Sequence, residues 1–555
     1  MEQARLLLAI GLSFLVLFVW SMFFTEKPPV NQTAETETVE QAAMPVDRDE
    51  REQPPAAANE TVQPAVKTAG TSQATEIQAS REIKVETPFY NVRITTRGAT
   101  VTSYVLNEYR EAVEVDAPKK QLIPKEIQGG LFHASMSNRS IQGLEDAVFT
   151  VDRNESDIRV NEEKKSLALH WISKDGVTVS KIFTFDPQSY MIDLKIVLSN
   201  NGIERVADSL ELSLRSPVMK DKGYGFVGPS ALIDSKLEQV KAKKIEDKNE
   251  FNGKISWIGV EDRYFISSII PGEETEGRMK LALNDETITN KLVNPAFELA
   301  PGSSKEFQFY LFMGPKSMDL LSHLGHGLDK ALNFGFFDIL AKPCLWFMNQ
   351  IHSVIPNYGV AIILLTIFTK ILLWPLGNKS YKSMSEMKKL QPLMTEIREK
   401  YKDDKQKMNQ ELMALYRTYK VNPMGGCLPM VLQIPVFFAL YRMLYQAIEL
   451  RHAPFFLWIN DLSAPDRLFD FGFSIPFMEP PYGIPVLTIV MGATMLLQQK
   501  MSPPPGDPTQ AKMMMLMPLV FTFIFINFSS GLVLYWLVNN VLSISQQYYV
   551  QKKNQ

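Results

Sequence analysis

Residues 364–376 read LLTIFTKILLWPL, and the apolar run extends upstream through YGVAII (358–363). Tyr358 to Leu376 makes 19 residues, enough to cross a hydrocarbon core of about 30 Å at about 1.5 Å per residue. Lys370 sits inside this run. A lysine near a bilayer centre costs roughly 2.5–3.5 kcal/mol on insertion scales, so its presence needs a reason.

Four more apolar stretches follow, at 424–445, 482–497, 513–528 and 531–550. The last two are separated by NFSSG (527–531), which has the composition of a tight turn. The third and fourth stretches have only 16 residues each, close to the lower limit for a span, so the bilayer is expected to thin around them. At the other end of the chain, Leu6–Phe24 is apolar and follows Arg5. No small-x-small cleavage pattern follows it, which predicts an uncleaved anchor over residues 1–26 rather than a secretory signal.

Loop charge orients the spans. Between Gly377 and Asn422 there are eleven Lys or Arg, and between Ala447 and Gly483 only Arg451 and Arg467. The first loop is expected in the cytoplasm and the second outside. The same scheme puts both termini in the cytoplasm, with residues 25–355 outside.

Between the anchor and the apolar half, composition changes twice. Residues 27–80 are rich in Pro, Ala, Thr, Gln and Glu, too poor in large apolar groups to offset ordering entropy, and are read as a disordered tether. Residues 81–316 alternate apolar and polar positions in segments such as FYNVRITTRGATVTSYVL and KIFTFDPQSYMIDLKIVLS. Turn signals such as SNNG and PGSS separate them, which predicts an all-β domain, a sandwich. GYGFVGPS (223–230) lacks the strand–glycine–helix context of a phosphate loop and is read as an ordinary loop.

Residues 317–355 carry helical spacing in Leu320, Leu321, Leu324, Leu328, Leu332, Phe336, Phe337 and Leu340, with Trp346 nearby. This predicts an amphipathic helix at the membrane interface, with ordinary packing on the β domain as the alternative. The cytoplasmic loop 378–422 repeats apolar residues every three or four positions: Tyr381, Met384, Met387, Leu390, Met394, Ile397 and Tyr401, then Met408, Leu412, Leu415 and Tyr419. That pattern predicts an antiparallel helical hairpin with a narrow apolar seam. Pro392 is expected to start or kink part of its first arm. The hairpin's basic exterior is either a solvated face or a contact for a ribosome or another partner.

The chain has 58 Lys and Arg against 61 Asp and Glu, a net charge of −3. This offers no global basic surface for nucleic acid. Its two cysteines, Cys344 and Cys427, show no metal-ligand spacing. His323 and His326 alone make a poor metal site and read as surface-helix residues. No metal or cofactor is expected. No set of acid, base and nucleophile marks an enzyme, and Asp, Glu and His are missing at mid-depth in the spans, which argues against a proton relay.

The polar residues inside the apolar half converge on another reading. Thr366 shares the helix face of Lys370, the second span carries Gln433, and the last carries Tyr535, Trp536, Asn539 and Asn540. Such groups usually face a bundle interior or a wet cavity. Lys370 alone could snorkel to the interface over roughly 9 Å of helix rise, but snorkelling does not account for the polar residues of the other spans.

At 421–444 the sequence reads VNPMGGCLPMVLQIPVFFALYRML, with NKSYKSMSEMKKLQP at 378–392, APFFLWINDLSAPD at 453–466, QKMSP at 499–503 and SGLVLYWLVNN at 530–540. These stretches closely resemble the YidC membrane protein insertases of the YidC/Oxa/Alb family. The resemblance implies a multi-domain membrane protein of the Gram-negative type. Its parts are an N-terminal anchor helix, a periplasmic all-β supersandwich and an α-helical five-span insertase core over 356–550, followed by a short cytoplasmic tail at 551–555. It further implies a bacterial inner-membrane location. The function implied is insertion and folding of nascent membrane proteins, alone or with the Sec translocon and ribosomes, through a hydrophilic groove open to cytoplasm and lipid. By motif position the groove's usual arginine is Lys370 here, Thr366 and Gln433 match other groove-lining positions, and a client-contacting tyrosine corresponds to Trp536 with Tyr535 beside it. Lysine keeps the charge but loses the planar donor fork of arginine, and tryptophan keeps the aromatic surface but loses the hydroxyl. The rival classes are a solute transporter or channel, which would need a through-path and internal repeats, and an envelope enzyme built on the β domain.

Overall fold

In the computed structural model, residues 80–152, 156–219, 225–421, 428–502 and 508–553 are described. The expected anchor (1–26), nearly all of the tether, part of the GYGFVGPS loop and the start of the second apolar stretch lie outside them.

The alternating segments are strands. Val177–Phe185 and Met191–Asn200 bury every second residue, as a sheet with one face on a core requires. They belong to a thirteen-stranded sheet whose pairings are all antiparallel. Its path runs from His133–Met136 through Leu210–Pro217, Thr287–Val293, Thr275–Asn284, Glu250–Glu261, Phe265–Pro271, Ser304–Pro315, Met191–Asn200, Val177–Phe185 and Lys165–Ile172 to Thr150–Val151. The long strand Glu250–Glu261 serves three neighbours, Thr275–Asn284 with its first half and Phe265–Pro271 and Gly228–Ile233 with its second. A five-stranded sheet containing Glu82–Glu86, Tyr90–Thr95 and Thr100–Arg110 shares one hydrophobic core with it. Trp257, Phe132, Phe183, Phe309 and Phe312 are fully enclosed, and Tyr90 stacks on Tyr104 at 4.6 Å. Enclosing each large apolar side chain stabilises the domain by about 1.5–3 kcal/mol.

One inward position breaks the pattern. Lys181 has no solvent exposure. Its ammonium donates to the carbonyls of Gly98 (2.7 Å), Ala99 (3.2 Å) and Phe132 (3.4 Å), tying a turn of the small sheet to the large one. Burial pushes its pKa down to about 7.

Eight α-helices among the described residues follow the strands: α1 (Met318–Leu324), α2 (Asp338–Val354), α3 (Tyr358–Lys400), α4 (Lys405–Thr418), α5 (Leu428–Gln446), α6 (Val486–Met501), α7 (Pro508–Phe525) and α8 (Ser530–Lys553). The helical pattern at 317–355 is divided between α1 and α2. Gly325, Gly327 and Gly335, all at positive φ, interrupt it, a backbone region open to glycine at no steric cost. The two halves then divide the two expectations. Leu321 and Leu328 join the β-domain core. By contrast α2 packs on α3 and α5 and leaves Ile339 and Trp346 exposed, as an interfacial helix would.

The first span and the first hairpin arm are one helix of 43 residues that passes through Pro375 and Pro392. At roughly 64 Å it outreaches a bilayer, so its distal part projects. Of the helices, α3 alone meets both length and hydropathy criteria for a span among the described residues. Outside the bundle's contacts, Ile371 and Leu372 on α3 and Met515, Leu516, Leu519 and Phe523 on α7 stay exposed, an apolar surface suited to lipid. The hairpin seam holds Leu390, Met394 and Leu412, with Met387, Ile397, Met408 and Leu415 against them. Tyr419 is exposed, and Tyr416 takes the inward place, its hydroxyl 3.7 Å from the Met394 sulfur.

Three arginines join the β domain and its flanking segment to the bundle. Arg263 donates to the Tyr445 carbonyl at 2.6 Å and lies 3.6 Å over that ring. Arg451 donates to the Arg110 carbonyl at 2.6 Å. Arg442 of α5 donates to the Phe334 carbonyl at 3.1 Å.

Lys181 generates a pH prediction. Its folded pKa of about 7 lies below the ordinary value of 10.5, so between these values the unfolded chain holds a proton that the folded domain does not. Stability of the β domain therefore rises with pH across that window. Hydrogen exchange of strand Val177–Phe185 in the full-length protein should slow from pH 7 to 10 after correction for intrinsic exchange. Lys181→Met should flatten this dependence; an unchanged slope would remove Lys181 as its source.

Candidate functional site

The site grows from α8. Its sequence SGLVLYWLVNNVLSISQQYYV is largely apolar, and within it polar residues recur every three or four positions: Asn539, Ser543, Gln546 and, one step round, Asn540 and Gln547. That spacing puts them on neighbouring faces of one helix. Because α8 packs against α3, α5 and α6, the polar stripe is turned into the bundle. Asn540, Ser543, Gln546 and Gln547 are all buried.

Each neighbour supplies a partner. Lys370 of α3 donates from Nζ to the Ser543 Oγ at 2.6 Å, and the Ser543 hydroxyl donates to the Asn539 carbonyl at 2.7 Å. Gln433 of α5 donates from Nε2 to Asn539 Oδ1 at 2.8 Å, and the Tyr535 hydroxyl hydrogen-bonds the same Gln433. Asn540 reaches Thr494 of α6 at 3.3 Å. Nearer the hairpin, Gln546 donates to the Trp374 carbonyl (3.1 Å) and to Asn378 Oδ1 (2.9 Å). Gly377 makes room for it, since a Cβ there would lie 2.7 Å from Gln546 Nε2. In a medium without water every such group needs a protein partner; the network supplies one to Lys370, Gln433, Asn539, Asn540, Ser543 and Gln546, while the buried Gln547 amide has none among the described residues.

The five residues singled out in the sequence occupy different environments. Lys370 and Gln433 are partly exposed and enter the network directly. Thr366 is sealed, and its hydroxyl is spent on the Ile362 carbonyl of its own helix at 2.6 Å. Tyr535 is sealed as well. Trp536 is partly exposed and stands at the edge of an aromatic cluster, 4.6 Å from Phe437 and 4.9 Å from Phe525, both edge-on. Phe525 in turn meets Phe528 at 4.7 Å, and Phe528 meets Tyr441 at 5.7 Å. Rings therefore fill the Ser530 end of the bundle, and polar groups run from its middle toward the hairpin.

Ser543 and Gln546 were not among the sequence candidates. The signal that marks them is the recurrence from Asn539 to Ser543 to Gln546 in an otherwise apolar helix. No Asp or Glu occurs in the apolar stretches 358–376, 428–446, 486–501, 508–525 or 530–550. Lys370 is thus a cation held by a neutral hydroxyl. Among the described residues no group of three or more His, Cys, Asp or Glu is placed to hold a metal ion.

Gln433 and Asn539 should be energetically coupled. A double-mutant cycle with Gln433→Ala and Asn539→Ala, read by reversible unfolding in mixed detergent, should give a coupling of about 0.6 kcal/mol and no more than about 1.7 kcal/mol. Strictly additive losses would mean that the pair is not bonded.

Known proteins match both halves of the chain. Residues 82–347 match the family described as YidC periplasmic domain, and residues 350–555 match the family described as 60Kd inner membrane protein. The membrane protein insertase YidC of Syntrophus aciditrophicus (strain SB) is 42% identical over 564 residues, which is 99% of either chain. That of Syntrophobacter fumaroxidans (strain DSM 10017 / MPOB) is 41% identical over 566 residues, 99% of this chain and 100% of the other. A crystal structure of an active YidC insertase aligns over 85% of this chain and 93% of its own, with 20% identity and a TM-score of 0.38. With two family matches and full-length relatives at this identity, the chain belongs to the inner-membrane YidC family of membrane protein insertases.

Proposed function

We propose that the protein inserts and folds newly made integral membrane proteins in the bacterial inner membrane, alone or with the Sec translocon, by offering a polar path part-way through the bilayer. The observation that carries this reading is Lys370. It is a cation in an apolar helix, bonded to the Ser543 hydroxyl at 2.6 Å, and the apolar stretches around it supply no carboxylate. Its counter-charge is left for an incoming segment. At 4 Å a unit charge pair interacts by about 4 kcal/mol near a protein surface, against about 1 kcal/mol in water. That difference is comparable to the roughly 2.5–3.5 kcal/mol that one charged side chain costs near the bilayer centre.

In this reading the hairpin of α3 and α4 lies in the cytoplasm with both chain termini, following the excess of Lys and Arg at 378–421. The β domain lies in the periplasm. The path then opens toward the cytoplasm and ends at the rings of Trp536, Phe437 and Phe525. The 16 residues of α6 and 18 of α7 span roughly 24 and 27 Å, which favours a locally thin bilayer and a shorter barrier. Client helices then partition into lipid, and apolar burial supplies the driving force. Lys370, Gln433 and Trp536 face the client, with Thr366 and Tyr535 packed behind them. The basic hairpin is the expected ribosome-side contact.

A charge series at one position tests this. Lys370→Glu should abolish insertion of clients that do not use the Sec translocon, at normal protein levels. Lys370→Arg should retain most insertion, and Lys370→Ala should be intermediate. Normal insertion by Lys370→Glu would exclude a role for the charge.

A further inference from the structure

Between α5 and α6 the chain makes a flap at residues 468–484. Leu468 and Ile484 exchange two backbone hydrogen bonds, at 2.8 and 2.9 Å, and the Phe471 N–H donates to the Tyr482 carbonyl at 2.7 Å. Arg467 clamps its base. Its guanidinium donates to the Pro481 carbonyl (2.9 Å), the Ile526 carbonyl (2.8 Å) and Asn527 Oδ1 (3.3 Å). Asn527, in the turn between α7 and α8, donates to the Phe477 carbonyl at 2.8 Å and accepts the Glu479 N–H at 2.9 Å. The flap is therefore fastened to the end of the bundle at both its base and its tip.

What it presents outward is apolar. Phe469 is 69% exposed, Phe473 65% and Phe477 80%. Phe469 and Phe477 hold φ near +63° and +64°, a region that bulky residues avoid, so the backbone bears a cost in the conformation that turns these rings out. Only Asp470 and Glu479 are charged between 468 and 484. The rings also have a neighbour that identifies the medium. Phe477 packs on Phe523 at 5.8 Å. Phe523 is itself exposed and closes the stripe Leu516, Leu519, Val520, Phe523 along α7, the spacing of one helix face. The flap thus continues the lipid-facing stripe of a helix that is short for a hydrocarbon core of about 30 Å.

We propose that residues 468–484 form a lipid-inserted flap. Phe469, Phe473 and Phe477 bind among the phospholipid chains and headgroups of the leaflet at the Val486 end of α6, adding apolar height that α6 and α7 lack. Aromatic side chains favour that interfacial layer. The inference needs only that the bundle spans the membrane and does not depend on the role given to Lys370.

Full-length protein with Cys344→Ser and Cys427→Ser, carrying a nitroxide at Phe473→Cys or Phe477→Cys, would be reconstituted in phosphatidylcholine–phosphatidylglycerol vesicles. Oxygen and nickel-chelate accessibility reads the depth of each label. Labels at Leu519→Cys and at Ile203→Cys, a 93% exposed site in the β domain, give the lipid and water references. The oxygen-to-nickel ratio at both flap positions should lie well above that of Ile203 and at or below that of Leu519, as a shallower site in the same lipid phase requires. A ratio equal to that of Ile203 overturns the proposal. So does spin–spin broadening that grows with protein density, which would put a second copy on the flap. The unsubstituted protein gives an independent reading with a photoactivatable phospholipid. Adducts should map to 469–478 as well as to α7, and adducts on α7 alone would contradict lipid contact at the flap.

Discussion

The Lys370 ammonium lies 2.6 Å from the Ser543 hydroxyl, across the contact between α3 and α8, and the bundle is arranged around what that bond requires. An ammonium in an apolar slab has to be bonded or hydrated, because leaving it bare costs several kcal/mol. Ser543 answers this without neutralising the charge. A carboxylate in its place would hold the cation in a closed ion pair, whereas a neutral hydroxyl accepts its hydrogen bond without cancelling the charge. The other groups follow the same logic. Asn539, Gln433 and Tyr535 bond one another without charge, so the network carries its charge at one point.

Its two ends are finished differently. Toward Ser530, Trp536, Phe437 and Phe525 interlock edge-on, a geometry that aromatic quadrupoles favour and that leaves little polar surface. Toward Lys553, the Gln546 amide bridges to Asn378 and the Trp374 carbonyl. A polar stripe stopped by rings at one end and continued by amides at the other has a direction, which suits the proposed insertion from one side. The β domain stands at the ringed end, tied through Arg263 and Arg451 to backbone carbonyls. The bundle and the β domain are thus joined by oriented bonds in addition to apolar contact.

Much of this was legible in the sequence because it is local. Alternation in Val177–Phe185 and Met191–Asn200 reads directly as half-buried strands. By contrast, Gly228–Ile233 is buried at every position and has no such signature, and the order of strands in the large sheet rests on pairings between distant residues. The break between α1 and α2 was missed because leucine spacing carried across it, although Gly325, Gly327 and Gly335 mark it. Pro392 suggested a start or a kink in the hairpin's first arm, and α3 runs on through it as it does through Pro375. In the bundle, Lys370 and Gln433 stood out because charge and amide are rare in apolar runs. Ser543 did not, since a serine in such a helix can satisfy itself on the carbonyl four residues back, as Thr366 does at Ile362. Its second bond, the one from Lys370, depends on how α3 and α8 meet, and no local pattern encodes that.

In the proposed mechanism, clients pass along the face of the bundle that carries Gln433 and Trp536. Photo-crosslinking from benzoyl-phenylalanine at these two positions to a ribosome-bound membrane protein, stalled as its first span emerges, tests it most directly. Adducts should form from both positions and few from Leu519, which lies on the exposed apolar stripe of α7. Equal adducts from Leu519, or none from Gln433 and Trp536 while insertion proceeds, would contradict it.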